Sequence, residues 1–269
     1  MTTVQTIVDQ FEKFAPLVYK EEGDPTGFQL GNREAVVHKL LTTLDVRPAV
    51  VQEAIDSDCD FIVAHHPLIF FPASNLDEAD PQTKMYANLL RHHINVYSAH
   101  TNLDKAPGGM NDWLAAALQL QQVSGLVPDA APVQGEMLSL GRVGYLNQPV
   151  TVAELVELCK QRLGVDHLRY ATATLQKKVQ KIAVLGGTGG KFYPAALEAG
   201  ADAYLTGDLS YHITQEMVAK GLTVLDPGHH IESICKEQLK TMFSNWNKKF
   251  KWEIEVQASE IRTDPFYFN

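Results

Sequence analysis

The stretch FIVAHHP, residues 61–67, is an apolar run that ends in two adjacent histidines and a proline. Four apolar residues without polar alternation are typical of a strand buried on both faces of a sheet. Pro67 lacks a backbone donor and favours an extended residue before it, so the strand is predicted to end at His66. Because the chain can bend there, both imidazoles can face one crevice. The alternative interpretation is two polar histidines at a strand end, one of which caps backbone groups.

Similar apolar runs alternate with amphipathic stretches along most of the chain. The other predicted strands are 37–46, 94–100, 181–187, 202–208, 222–226 and 251–260. The predicted helices are 47–57, 81–93, 110–120, 151–163, 191–200 and 231–249. This alternation is typical of α/β proteins, and it predicts two α/β lobes with mixed, largely parallel sheets. The period-2 pattern of 251–260 predicts a half-buried strand that joins one of the sheets, with the first lobe as a candidate.

Proline and glycine mark the predicted lobe boundary. Two boundary signals stand out, namely Pro107, Gly108 and Gly109, and later the Ala/Pro/Gly stretch 126–136. The second of these is the position at which the chain is predicted to pass into a second lobe. The second lobe is therefore predicted to span 126–225. The first is predicted to span 1–125 and to be completed by the C-terminal segment 226–269.

The composition excludes several classes of protein. The 269 residues are 45% hydrophobic and 20% charged, which is typical of globular domains, and the formal net charge of −9 disfavours nucleic acid and anionic membranes as partners. An odd set of widely spaced cysteines (Cys59, Cys159 and Cys235) favours a reducing compartment over a disulfide framework. No apolar run reaches the roughly 20 residues that span a bilayer. We therefore expect a cytoplasmic protein.

Three strand ends carry candidate metal ligands. Asp104 follows the strand 94–100, although an aspartate in a loop is often a turn former or a helix cap. His229 and Glu232 follow the strand 222–226 at a spacing that places them on one face of a helical turn. His230 is equally available from the sequence alone, and Glu232 could be a plain first-turn acid. The candidate metal ligands are His65, His66, Asp104, His229 and Glu232.

The chemistry of these ligands indicates the kind of metal. In open α/β sheets, bound molecules and ions lie beyond the carboxyl ends of the strands, which is where these side chains are predicted to be. Five imidazole and carboxylate ligands, one of them able to bridge, suit a pair of ions about 3.5–4 Å apart. Nitrogen and oxygen donors without thiolate fit divalent Zn, Fe, Mn, Ni or Co and disfavour Ca and Mg.

Further candidates come from polar residues at strand ends. His100 could support the ligands, transfer protons or act as a cap, and Asp45 ends the first predicted strand. Asp208 and His212 could address a substrate or transfer protons, although Asp208 could equally cap the following helix. The GGTGG loop at 186–190 matches no phosphate-binding motif in register, so a tight strand–helix turn is favoured over phosphate binding.

The chain resembles the NIF3-like family, whose bacterial members are called GTP cyclohydrolase 1 type 2 homologues. The resemblance runs from end to end through GDPTGFQLG (23–31), AHHPLIF (64–70), AHTNLD (99–104), LGGTGG (185–190), LTGD (205–208) and DPGHHIE (226–232). The family's metal ligands correspond to the five candidates above. Gly23 stands where the family has tryptophan. The resemblance implies a dinuclear metal centre, a toroidal homohexamer and the short form without an inserted middle domain.

Two classes of function follow as hypotheses. The first is a metal-dependent hydrolase acting on a nucleotide-like small molecule, for which the resemblance suggests a purine nucleotide such as GTP. Its proton-transfer candidates are His100, Asp208 and His212. The second is a protein that stores or delivers metal, or a ring-shaped interaction module without turnover.

Overall fold

The structure, a computed structural model, describes residues 1–267 and divides into two compact units. Unit 1 comprises Met1–Ala106 and Cys235–Pro265, and unit 2 comprises Pro107–Ile234 together with Phe266 and Tyr267. Each unit has its own mixed sheet and helices. The predicted α/β class is confirmed. No helix within residues 1–267 has both the length and the apolar character that crossing a bilayer requires.

Unit 1 is built on a five-stranded sheet in the order β1-β4-β3-β2-β11. Its strands are β1 (Gly27–Leu30), β2 (Lys39–Thr43), β3 (Phe61–Ala64), β4 (Asn95–Ser98) and β11 (Glu255–Ala258). Its helices are α1 (Val4–Phe14), α2 (Pro48–Asp56), α3 (Pro81–Arg91), α4 (Thr101–Lys105) and α9 (Cys235–Phe250), with a 3₁₀ helix at Leu17–Tyr19. The predicted C-terminal strand is present as β11 and lies parallel to β2 in this sheet.

Parallel pairing in unit 1 aligns the ends of three strands. Strands β2, β3 and β4 run parallel, and all four residues of β3 are buried, as their unbroken apolar character predicts. Helix α1 buries residues at positions i, i+3, i+4 and i+7, which form one apolar stripe. On that stripe Phe11 stacks on Phe243 of α9, with ring centroids 5.9 Å apart. The carboxyl ends of β2, β3 and β4 therefore lie at one edge of a firmly packed sheet.

Unit 2 contains a six-stranded sheet in the order β5-β6-β8-β9-β10-β7. Its strands are β5 (Gln121–Pro128), β6 (Ser139–Thr151), β7 (Arg169–Ala171), β8 (Lys178–Thr188), β9 (Ala203–Gly207) and β10 (Thr223–Asp226). Its helices are α5 (Met110–Ala117), α6 (Val152–Leu163), α7 (Tyr193–Glu198) and α8 (Tyr211–Ala219), with 3₁₀ helices at Gly190–Phe192 and His229–Ile234. Strands β8, β9 and β10 are parallel, and antiparallel pairs flank them on both sides.

Four strands were not predicted from the sequence, namely β1, β5, β6 and β7. The stretch 126–136 covers the end of β5 and the turn that leads into β6. Helix α6, by contrast, begins where its sequence predicts. The Thr151 side chain accepts from the Glu154 backbone N–H, and the Glu154 carboxylate accepts from the Thr151 N–H, which is a capping box.

Candidate functional site

The tandem histidines of unit 1 lie directly beyond the end of β3. The backbone N–H of His65 donates to the Thr43 carbonyl at 3.1 Å, and that of His66 donates to the Leu44 carbonyl at 2.9 Å. Hydrogen bonding to the β2 side therefore continues for two residues past the last residue of β3. This pairing fixes the backbone that carries both imidazoles.

His65 is fully buried, and its two ring nitrogens have different surroundings. Nδ1 lies 2.7 Å from the carbonyl oxygen of Ala99. A carbonyl oxygen can only accept, so Nδ1 carries a proton and donates it to this bond. Nε2 lies 3.7 Å from Oδ1 of Asp104, which is on α4. Nitrogen and oxygen donors at this separation suit ligands of one metal ion.

His66 is oriented by a carboxylate. Its Nδ1 lies 2.7 Å from Oδ1 of Asp45, whose Oδ2 accepts from the Thr263 hydroxyl at 2.5 Å. Burial raises the pKa of Asp45, but the hydrogen bond and charge of His66 and the bond from Thr263 outweigh burial, so the pKa lies below its ordinary value. An ionised carboxylate only accepts, so the Nδ1 of His66 donates to Asp45, which orients the ring.

His100 has the same arrangement with a different carboxylate. Its Nδ1 lies 2.9 Å from Oδ1 of Asp24. The other oxygen of Asp24 accepts from the Thr26 hydroxyl at 2.6 Å and from both the backbone N–H and the hydroxyl of Thr101. Burial raises the pKa of Asp24, but the hydrogen bonds and the charge of His100 lower it more, and it lies well below its ordinary range.

The three imidazoles of unit 1 form one group that could hold a metal ion. One ring nitrogen from each of His65, His66 and His100 lies within 4.8 Å of those of the other two. The ring centroids are 5.0 Å apart for His65 and His66, and 5.2 Å apart for His65 and His100. An oxygen acceptor lies beside Nδ1 in each ring, so Nδ1 carries a proton and Nε2 is the nitrogen that would bind a metal ion. This donor set fits divalent transition metals.

Unit 2 presents a histidine and a carboxylate just after β10. Nε2 of His229 lies 3.1 Å from Oε2 of Glu232, which is 3% exposed. Nδ1 of His229 lies 2.6 Å from Oδ2 of Asp208, which also accepts from the Thr188 hydroxyl at 2.7 Å. Burial raises the pKa of Asp208, but its bonds from His229 and Thr188 hold it below its ordinary value. His229 is thus oriented by a carboxylate as His66 and His100 are.

The glycine loop 186–190 is shaped around Glu232. A Cβ atom on Gly186 would lie 2.7 Å from Oε1 of Glu232, and one on Gly187 would lie 3.0 Å from the same atom. The backbone N–H groups of Gly186 and Gly189 donate to the side chains of Asn111 and Thr206. Those two amides are therefore engaged within the protein. Residues 186–188 form the end of β8, so the predicted tight turn is confined to Gly189, ahead of the 3₁₀ helix Gly190–Phe192.

The remaining proton-transfer candidates have different settings. Asp208 directly follows β9 with a φ of +56°, and its carboxylate orients His229. His212 is exposed at the start of α8, where its ring contacts that of Tyr211 at 5.3 Å. Within residues 1–267, His212 belongs to none of the groups of side chains that could hold a metal. The roles of His100, Asp208 and His212 in proton transfer stay predictions.

Two supporting residues were missed by the sequence analysis. Asp24 lies in the GDPTGFQLG motif, where it was used only as part of a family pattern, and Thr263 lies in a segment that carried no signal at all. The signal for Asp24 was a polar aspartate with a threonine two positions later, ahead of the apolar β1. That spacing favours the side-chain hydrogen bond found between Thr26 and Asp24.

The fold and these side chains define a mixed α/β protein with a histidine-rich group that could bind metal. The chain belongs to the family described as Duf34/NIF3 (NGG1p interacting factor 3), whose sequence profile matches residues 2–265.

Similar proteins cover nearly the whole chain. A protein of Streptococcus pneumoniae serotype 4 named "GTP cyclohydrolase 1 type 2 homolog" is 37% identical over 264 residues, covering 97% of each chain. A protein of Lactococcus lactis with the same name is 37% identical, covering 96% of each. The crystal structure of a Bacillus cereus protein related to NIF3 superposes with a TM-score of 0.95 at 29% identity, covering 100% of this chain and 99% of that one.

Proposed function

We propose that this chain binds two divalent transition-metal ions through His65, His66, Asp104, His229 and Glu232 and hydrolyses a nucleotide-like small molecule. The observation that carries the proposal is the common orientation of the imidazoles. In His65, His66 and His229 the Nδ1 atom lies 2.6–2.7 Å from an oxygen acceptor. Such bonds fix the tautomer and raise the basicity of Nε2, and they are the usual support of a metal-binding histidine.

The ligands restrict the choice of metal. Imidazole and carboxylate donors fit Zn, Fe, Mn, Ni or Co, whereas Ca and Mg prefer sites made of oxygen alone. The three cysteines are buried, and the donor groups described above contain no thiolate. Zn, Fe, Mn, Ni and Co are therefore the ions to test.

A hydrolase follows from the chemistry that two ions supply. A pair of bound ions would polarise the bond to be cut and activate water for attack. The chain's own contribution is to hold the ligands, since Asp45 and Asp208 fix the rings of His66 and His229 before metal arrives. The name shared by the S. pneumoniae and L. lactis relatives supports GTP as the first substrate to assay.

Elemental analysis of protein purified without chelator or affinity tag, together with a GTP turnover assay, tests this function. We expect about two transition-metal ions per chain, lost in Glu232→Ala and kept in Glu237→Ala, which changes an exposed glutamate of α9. Metal without turnover of GTP or other nucleotides would favour storage or delivery. No metal in the wild-type protein, even after reconstitution, would overturn the proposal.

The assembly and location of the protein are further proposals that rest on the family resemblance and composition. We propose a toroidal homohexamer in the cytoplasm. Light scattering on the purified protein tests the hexamer, and a smaller particle at working concentration would contradict it.

A further inference from the structure

We propose that His100 is a metal ligand of this site, completing a face of three imidazoles with His65 and His66, and that Asp24 is the residue that positions it. This inference rests on the proposed metal binding, and it adds a ligand to the five named above. The geometry that carries it lies entirely within unit 1.

The first step concerns what the His100 side chain does in the fold. His100 precedes α4 at the N-cap position, yet its side chain makes no capping hydrogen bond to that helix. Its backbone carbonyl instead accepts from the N–H groups of Leu103 and Asp104, at 2.9 and 3.1 Å. The imidazole of His100 therefore does not cap α4, which excludes the helix-cap role that the sequence left open for this side chain.

The second step concerns Asp24, which is 8% exposed and held by several donors. Its Oδ2 accepts from Thr26 and twice from Thr101, while Oδ1 lies 2.9 Å from the Nδ1 of His100. A carboxylate with one oxygen so fully bonded cannot rotate freely, so it holds the imidazole in one orientation. Carboxylate–histidine pairs of this kind orient metal ligands and increase their basicity.

The third step concerns the direction in which the ring is presented. Because Nδ1 donates to Asp24, Nε2 is the nitrogen of His100 that would bind a metal ion. Its ring centroid lies 5.2 Å from that of His65 and 5.8 Å from that of His66. One nitrogen of each ring falls within 4.8 Å of the others, so the three rings form a group that could hold a metal ion. Three imidazole ligands match a divalent ion such as Zn or Co that keeps a further position open.

The main test measures metal affinity by competition with a chromophoric chelator. We compare the wild-type protein with His100→Gln and Asp24→Asn, and with His92→Gln, which changes an exposed histidine at the end of α3. We expect His100→Gln to weaken Zn and Co binding by at least about tenfold and Asp24→Asn by about tenfold, with no change in His92→Gln. Circular dichroism and unfolding of the metal-free variants check that the fold is retained.

Co(II) spectroscopy provides a readout that a structural role would not change. Loss of a nitrogen ligand shifts the visible bands of the bound ion, so His100→Gln should differ from wild type even when saturated with Co(II). A His100→Gln protein with the affinity and spectrum of wild type would overturn the inference while leaving the proposed function in place. A wild-type protein that binds no metal would overturn both.

A measurement on the wild-type protein keeps the inference testable should His100→Gln fail to fold. Crystals loaded with Zn and measured at the zinc absorption edge locate the ion by anomalous scattering. We expect Nε2 of His100 at about 2.0–2.1 Å from it. A separation too long for a bond would overturn the assignment.

Discussion

Thr263 holds the carboxylate of Asp45 in place: its hydroxyl donates to Oδ2 at 2.5 Å, while Oδ1 of the same carboxylate lies 2.7 Å from Nδ1 of His66. The segment that carries Thr263 is itself anchored, because the hydroxyl of Ser259 and the backbone N–H of Glu260 both donate to the carboxylate of Glu53. The chain after β11 thus supports a candidate metal ligand that lies about two hundred residues earlier.

We predict that Thr263→Val weakens metal binding. Valine keeps the shape and removes the donor, so Asp45 holds His66 less firmly. The loss should be smaller than the roughly 10–100-fold typical of a partner that contacts the ligand directly, which we expect for Asp45→Ala. Chelator competition measures both. Thr174→Val, which changes an exposed threonine, is the control. Equal metal affinities for Thr263→Val and wild type would show that the segment after β11 does not support His66.

We predict that Gly186→Ala removes metal by displacing Glu232. The added methyl would lie 2.7 Å from Oε1 and 3.1 Å from Cγ of Glu232, so the carboxylate must move. Overpacking of this kind costs about 1–3 kcal/mol of stability. Gly190→Ala in the same loop is the matched control, because its nearest neighbour would be a Leu209 methyl at 3.4 Å, an ordinary contact. Metal content by elemental analysis should fall in the first variant and not in the second.

Strands with continuous apolar character could be predicted from the sequence, and irregular strands could not. All residues of β3 and β9 are buried, so a continuous apolar run in the sequence is enough to predict each strand. Strand β6 contains two glycines and a proline, and the first five residues of β5 are exposed. Both are formed by antiparallel pairing with a partner, which for β6 includes β8 some forty residues away. The residues within β5 or β6 alone do not predict such pairing with a distant strand.

The candidate ligands were likewise predictable where they follow a strand, whereas their supports were not. His65 and His66 stand directly after the apolar strand β3, and His229 follows β10 after Pro227 and Gly228. Asp24 and His100 are hydrogen-bonded although they are 76 positions apart in the sequence, and Thr263 and Asp45 although they are 218 positions apart. Those contacts depend on how β1 and β11 pair with the central strands, which tertiary folding decides.

We predict a pH-dependent gain in stability for Glu12→Gln. Burial raises the pKa of Glu12, and the hydrogen bond from Tyr97 and the charge of Arg33 lower it less than burial raises it. Ionisation at neutral pH therefore costs the folded state free energy, and this cost disappears as the pH falls through the raised pKa. Glutamine keeps an oxygen for the Tyr97 hydroxyl, 3.2 Å away, without the charge.

Urea unfolding of the metal-free protein at two pH values measures this effect. Glu12→Gln should have a higher midpoint than wild type at pH about 8, and the difference should shrink at pH about 5. Glu34→Gln, at an exposed position, should change neither midpoint. A variant less stable than wild type at the higher pH would show that the Tyr97 bond outweighs the cost of burial.

We predict that Asp208 and His212, the two proton-transfer candidates of unit 2, respond differently to substitution. Asp208→Asn replaces an ionised acceptor with a neutral amide, and asparagine tolerates the φ of +56° found there, so the backbone should be unchanged. Because Asp208 orients His229, the variant should bind Zn about tenfold more weakly. His212→Gln should bind Zn as tightly as wild type, since that exposed ring contacts Tyr211 and belongs to none of the metal-binding groups found within residues 1–267. Should Asp208→Asn instead keep full Zn affinity and lose only turnover, Asp208 would act on the substrate rather than through His229.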